Sequence, residues 1–367
     1  PSATLVRALG EMDSDDAVDL VEDLEADKRA QVLAALPEVD RAAIETSLAY
    51  EDETAGRLMQ REVASAPQFW TVGQALDHFL KAGEEMPELF FDVYVVDPSH
   101  RPLGGVPVSR LLRHDRETPL ARIMEPLTEI PVGMDQEEAA YIFNKYHLIS
   151  APVVEPGGRL VGQLTVDDIV GVIREEGEED ILALAGVSDV GRDASLAGAL
   201  RSRLPWLVLN LGTAALASSV IGAFQGVVAQ VLTLAIFMPI VSSLGGNAGT
   251  QTLAVAVRAL SSRELNAANS ARIIGREVLA GLLNGAVLAV LMGAAVLVLF
   301  HDPRLALTVG LAIVANFFVA ALAGILAPII LERLGRDPAV SSSVLVTFAT
   351  DFMGFLALLG IASLILL

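Results

Sequence analysis

The chain has 367 residues, 53% of them hydrophobic, with a mean hydropathy of +0.54 and a net charge of −20. That is too apolar for an ordinary soluble protein and long enough for two or three domains; so acidic a balance argues against a nucleic-acid partner and suits a cation. The absence of cysteine excludes disulfides and thiolate metal sites.

The charge is unevenly spread. Residues 1–203 hold 39 acids and 18 bases, whereas from Leu204 onward six acids meet seven arginines and no lysine. The first half is expected to be an acidic soluble body and the second a membrane domain. No basic segment leads into an apolar stretch after Pro1, so no signal peptide is expected, and the chain is expected to begin inside a longer protein.

In chain order, residues 1–60 read as a short, truncated helical domain. Its clearest stretch is MDSDDAVDLVEDLEADKRAQVLAALP, with apolar positions at helical spacing. The segment from Tyr50 to Met59 joins it to an internal repeat. Val95-Val96-Asp97-Pro98 with Leu103-Gly104 resembles Val153-Val154-Glu155-Pro156 with Val161-Gly162, about 58 residues on. Each copy predicts helix, strand, turn, strand, helix, with QALDHFLKAGEE and QEEAAYIFNKYH as helices and DVYVV and ISAPVV as strands. The copies occupy 61–119 and 120–174 and are expected to pack as one α/β module. Residues 175–203 then form an acidic connecting helix that begins with five acids between Glu175 and Asp180. Stacked carboxylates repel unless cations bridge them, which suits a sensor, although a solvated face gives the same pattern.

Five stretches in 204–367 are long enough to cross a bilayer, roughly 204–224, 231–257, 275–300, 305–331 and 339–367. Arg201 and Arg203 precede the first. The next connections alternate between no charge, four arginines (Arg258, Arg263, Arg272, Arg276), Arg304 alone, and Arg333 with Arg336. This alternation places the N-terminal body in the cytoplasm and the C-terminus outside. The second span carries Pro239 and Gly245-Gly246-Asn247, which predict a break whose freed carbonyls face hydrated ions. Asn210, Asn284 and Asn316 read as interhelical hydrogen-bonding groups. The fifth span contains Asp351 as its sole ionisable residue. A charge at that depth costs at least ~3 kcal/mol and marks an ion pathway or proton relay. Five spans make a thin wall, so a two-fold homodimer is expected to bring two copies of Asp351 together.

Residues 61–174 resemble a pair of CBS (cystathionine-β-synthase-type) domains. In that family a Ser/Thr-x-x-Asp element holds a nucleotide ribose. The second copy keeps it as Thr165-Val-Asp167-Asp168, whereas the first reads Ser109-Arg-Leu-Leu112 without the acid. The resemblance implies one adenine nucleotide, ATP, at Thr165 and Asp168; a helix N-cap explains the same acid equally well.

The order of parts resembles the MgtE family of magnesium channels over nearly the whole chain. The motifs are Tyr50-EDE-Thr54-Ala55-Gly56-x-Leu58-Met59, Pro239…Gly245-Gly246-Asn247…Gln251, Asp337-Pro338, and Asp351 followed by Gly354. The resemblance implies an all-α five-span domain beneath the α/β CBS pair and a homodimeric pore in the plasma membrane. Asp351 is its selecting carboxylate, with Thr347 and Asn247 beside it. It also implies closure by cytoplasmic Mg2+ held by Asp135, Glu137, Asp168 and Glu179. The chain departs from the family at Ala30, Ala34, His147, Gly171 and Ser343, where polar or acidic residues are expected; Asp27 is a candidate substitute. The alternatives are a carrier of divalent cations coupled to Na+ or H+, with Asp351 as proton relay, and a non-transporting sensor whose CBS pair binds nucleotide. No phosphate loop, nucleophile triad or histidine-rich site points to an enzyme.

Overall fold

The structure is a computed structural model that describes residues 3–83, 86–87, 89–187, 196–265, 269–335 and 338–367, and the side chains of these except 3 and 338–341. The chain divides into two compact units, 1–176 and 177–367.

The first unit opens with four short helices, α1 (Ala3–Leu9), α2 (Ser14–Glu22), α3 (Ala26–Leu33) and α4 (Glu38–Ser47). Each is too short to be stable alone in water, and they close around Leu9, Val18, Val21, Val32 and Ile44. A single turn, α5 (Ala55–Leu58), leads into the repeat.

The two copies share one order of elements. The first contains β1 (Ser65–Pro67), α6 (Val72–Ala82), β2 (Asp92–Val96), β3 (Pro102–Pro107) and α7 (Val108–Leu111). A further turn, α8 (Leu120–Ile123), leads into the second, which contains β4 (Ile130–Pro131), α9 (Gln136–Tyr146), β5 (Ser150–Val154), β6 (Leu160–Thr165) and α10 (Val166–Leu184). Each sheet has one parallel and one antiparallel pairing, and the register shifts at the same place in both, between Val95 and Val96 and between Val153 and Val154.

The segment leading into each copy pairs with the last strand of the other. Gln60 exchanges two backbone hydrogen bonds with Gln163, and Glu125 does the same with Gly105. This crossing explains the glycines of the repeat. A Cβ at Gly162 would lie 2.6 Å from the Gln60 carbonyl oxygen, and one at the equivalent Gly104 would lie 2.8 Å from that of Glu125. Between the copies, the Tyr94 hydroxyl donates to Gln163 Oε1, and Gln163 Nε2 donates to Gln60 Oε1 and to the Glu62 carbonyl.

The second unit holds the end of α10 and six further helices: α11 (Leu196–Ala223), α12 (Gln225–Gln230), α13 (Leu234–Ser261), α14 (Ser270–Phe300), α15 (Pro303–Arg333) and α16 (Pro338–Ile365). Among the described residues four helices are long and apolar enough to cross a membrane: α11, α14, α15 and the stretch Ser342–Ile365 of α16. Length and composition thus pick out four of the five expected spans. α13 has the length, but Ser242, Ser243, Asn247, Thr250 and Gln251 dilute its hydropathy. Half of the most apolar stretch of α15 is buried, against 11% in α11 and 17% in α14. α15 is thus the central helix, and α11 and α14 present apolar surface outward.

The expected break in α13 is also corrected. Its backbone stays helical through Pro239 and Gly245-Gly246-Asn247. Unwinding without water nearby would strand carbonyls, whereas glycine in such a helix lets neighbours approach closely. Gly245 faces Asn316 of α15, whose Nδ2 donates to the Val241 carbonyl at 2.9 Å. A Cβ at Gly245 would meet that Nδ2 at 2.0 Å, and one at Gly354 of α16 would meet it at 2.9 Å. Asn316 is fully buried and clasps three helices, the interhelical role its sequence suggests. Asp337, and residues 188–195 of the connecting segment, lie outside the described residues.

Gly245→Ala is expected to displace Asn316 and lower stability by about 1–3 kcal/mol. Combining it with Asn316→Ala should cost less than the sum of the two single changes. Thermal unfolding of the four proteins in detergent measures this.

Candidate functional site

Asp351 lies on α16, half-buried, and accepts a short hydrogen bond from the Ser242 hydroxyl of α13. One turn earlier on α16, Thr347 is exposed and its hydroxyl donates to the Ser343 carbonyl at 2.9 Å. On α13, Pro239, Ser243, Asn247, Thr250 and Gln251 are all exposed. These positions recur at helical spacing, so they form one polar stripe. The side-chain amides of Asn247 and Gln251 have no hydrogen-bond partner among the described residues. A polar stripe cannot face lipid hydrocarbon at tolerable cost, so it faces water or another protein surface.

The end of α10 packs against these same two helices. Ala183 and Leu184 contact a cluster of Leu253 and Val257 of α13 and Val346 of α16. Ser261, at the end of α13, donates to Asp180 Oδ2 at 3.2 Å. Glu179 stands beside Asp180 on α10.

In the first unit, acidic side chains gather where α2 meets the start of α10. Asp168 Oδ2 accepts from its own Thr165 amide at 3.2 Å and hydroxyl at 2.6 Å, the N-cap arrangement of a helix start. Burial raises the Asp168 pKa against these lowering bonds. Facing it, Asp15 is pushed up to about 8 by burial and then by the charge of Asp168, and its Oδ1 is buried without a hydrogen-bond partner. Asp19, at the rim, rises to about 6 through desolvation and then the charges of Glu22, Glu175 and Asp168. Sequence reading missed Asp15 and Asp19. Their spacing, four apart on one helix, was the available signal, but nothing local says which domain that face meets. The suggested substitute Asp27 is exposed on α3.

Asp135 caps α9, accepting from the Glu137 and Glu138 amides at 2.9 and 3.4 Å. Glu137 is in the first turn of that helix. Among the described residues no three His, Asp or Glu side chains are arranged to chelate a metal directly.

Three family profiles match in chain order: "MgtE intracellular N domain" over 1–53, "CBS domain" over 120–175 and "Divalent cation transporter" over 238–361. A magnesium transporter MgtE from Enterococcus faecalis is 37% identical over 87% of this chain and 71% of its own length. The chain belongs to the MgtE family of magnesium transporters. The MgtE of Thermus thermophilus is 36% identical over 89% of this chain and 73% of its own. A crystal structure of the cytosolic domain of the Mg2+ channel MgtE in complex with ATP is 31% identical, covers 47% of this chain and 71% of that one, and has a TM-score of 0.45. The chain combines the family's N domain and CBS domain with a helical region that matches the family's divalent cation transporter domain.

The raised carboxylates of Asp15 and Asp19 set a pH dependence. Their folded-state pKa values exceed the ordinary value, so the folded state holds more protons and stability falls as pH rises from about 4 to about 8. Asp15→Asn is expected to stabilise the protein at pH 8 by about 1–3 kcal/mol and to leave it nearly unchanged below pH 4. Urea unfolding followed by Trp70 fluorescence, with Trp206→Phe as background, reads the difference. Millimolar Mg2+ should stabilise wild type at pH 8 more than the variant.

Proposed function

We propose that this protein is a homodimeric, Mg2+-selective channel of the plasma membrane that cytoplasmic Mg2+ closes. The observation that carries the reading is the Asp351 carboxylate, held by Ser242 beside the exposed polar stripe of α13. In the proposed arrangement α13 also crosses the membrane, as the second of five spans, shielded from lipid by its neighbours and by a second copy of the chain. The alternation of arginines supports a cytoplasmic N-terminal body and an external C-terminus.

A two-fold axis along the stripe would set one Asp351 opposite the other. Mg2+ dehydrates reluctantly and is usually held by one or two carboxylates with several waters retained. Two carboxylates flanked by Thr347 and Asn247 offer such a site. Retained water also keeps binding weak enough for the ion to leave. Ser242 fixes the rotamer of Asp351, so the ion meets an oriented carboxylate.

For regulation, the proposed ligands in the first unit are Asp15, Asp19 and Asp168, with Asp135 and Glu137 as a separate pair. Glu179 is the proposed ligand in the second unit. Without cations the carboxylates repel one another or take up protons; bound Mg2+ relieves the repulsion. Shifting a gate from 1% to 99% closed takes about 5.5 kcal/mol of differential binding, which calls for several weak sites acting together. Closure then corresponds to the end of α10 resting on α13 and α16, where Ala183 and Leu184 pack.

Asp351→Ala and Asp351→Asn are both expected to abolish Mg2+ uptake in cells that depend on this protein, and Ser242→Ala to reduce it. Full rescue by either Asp351 variant would sink the pore assignment. Unitary currents from the protein in liposomes should vanish as Mg2+ rises on the arginine-rich side; uptake without unitary currents would favour the carrier. Protease protection of residues 177–203 should increase with Mg2+, and digestion indifferent to tens of millimolar Mg2+ would end the gating scheme.

A further inference from the structure

α14 has one packed face and one face turned away from the rest of the second unit. On the packed face, Ile273 and Ile274 sit against a cluster of Ala256 and Leu260 of α13 with Ile325 and Ile329 of α15. Further along, Gly281 and Gly285 let α14 close on α15, since a Cβ at either would lie 2.7 Å from that of Ala321 or Phe317 respectively. Opposite, at spacings of three and four residues, run Arg272, Arg276, Leu279, Leu283, Val287 and Val290. All six are exposed, the four apolar ones by 58–71%. Leu279 to Val290 covers about 16 Å of helix, roughly half of a hydrocarbon core. The outward stripe is therefore two guanidinium groups followed by one leaflet's depth of apolar surface.

The helix itself gives no reason for those two charges. α14 has no acid in its first turn, and the helix dipole already makes that end positive, so Arg272 adds charge of the same sign. Arg272 finds no side-chain partner among the described residues. Arg276 donates through Nε and Nη2 to Glu277 Oε1 at 3.3 and 3.2 Å, which occupies one edge of its guanidinium and leaves the other open. Beside them Gly275 leaves free space, for a Cβ there would meet nothing within 4 Å. The preference of arginine for one side of a membrane accounts for the end of the helix at which the pair lies. It does not require that the pair head the outward apolar stripe.

We propose that this stripe holds an anionic phospholipid of the leaflet on the arginine-rich side. Its phosphate lies against Arg272 and Arg276, and an acyl chain runs along Leu279 to Val290. Guanidinium forks match phosphate oxygens two at a time, and an anion there also offsets the positive end of the helix. A zwitterionic headgroup brings a cation among the arginines and gains less. A soluble phosphate leaves the apolar stripe uncovered. A second copy packed here by two-fold symmetry sets four arginines against one another. The site needs only that α14 lies in a bilayer; the leaflet rests on the orientation proposed above.

Quenching by brominated lipid tests this. The full chain carries Leu283→Trp on a Trp206→Phe background, with the parent that retains Trp70 alone as the blank, and Leu279→Trp is a second reporter. Each protein is reconstituted in vesicles of phosphatidylglycerol and phosphatidylcholine, with bromine on the chains of one lipid at a time. The introduced tryptophan should sense phosphatidylglycerol at least about threefold above its share of the bilayer. Arg272→Gln with Arg276→Gln should bring that preference to about one, and the lysine pair should fall between, since it keeps the charge and loses the forks. Arg304→Gln, on α15, should leave it unchanged. The proposal is overturned if quenching follows the bulk lipid ratio or if the glutamine pair keeps the preference. It is also overturned if neither lipid quenches either reporter, as beneath a second copy, or if inorganic phosphate removes the preference where chloride of equal ionic strength does not. The readout needs no ion flux, so it stands or falls separately from the channel reading.

Discussion

A carboxylate among apolar helices is the constraint around which the second unit is built. Asp351 cannot be left against hydrocarbon, and no lysine or arginine shares its helix. Its partner is a serine hydroxyl on α13, which obliges α13 and α16 to lie side by side. That proximity in turn requires the glycines. Gly249 stands where a Cβ would come within 2.5 Å of Val346, and Gly245 and Gly354 leave the space that Asn316 fills. Much of the helix packing follows from keeping one acid oriented.

The first unit meets the opposite problem, too many carboxylates in too little space. Burying Asp15 against Asp168 is unfavourable for two anions and tolerable for a protonated or cation-bound pair. The fold holds them together regardless, because Ser14, at the head of the same helix, is fastened to Glu62. The Ser14 hydroxyl donates to Glu62 at 2.7 Å and accepts from the Arg61 amide at 2.8 Å. The N-terminal helices therefore hang from the segment that enters the repeat, and repulsion acts on a joint that is otherwise well made.

Much of this was legible in the sequence. The α/β repeat was visible through its valine strands and glycine-bearing turns, and β2 runs over the DVYVV expected of it. Asp351 declared itself by being alone. Three features were not legible, for different reasons. Glycine next to proline suggests a break when the chain is read locally, yet whether a membrane helix unwinds depends on what stands beside it, and Asn316 lies 75 residues from the carbonyl it binds. The acid cluster needed Asp15 to meet Asp168, a tertiary contact with no local pattern. That Arg110, and not Leu112, is the first copy's counterpart of Asp168 was hidden by a two-residue misalignment, which the strand register resolves by pairing Pro107 with Asp92 as Thr165 pairs with Ser150.

The crossed lead-in segments have a consequence for how the chain is made. Gln60 waits for Gln163, 103 residues later, before its hydrogen bonds can close. Gly105, by contrast, finds Glu125 a short way along the chain. The first copy can therefore close its edge soon after it is made, whereas the Gln60 segment stays unpaired until the last strand of the second copy exists, and contacts this distant in sequence form slowly. The N-terminal helices, which hang from that same segment through Ser14 and Glu62, are thus the first part made and among the last to be fastened.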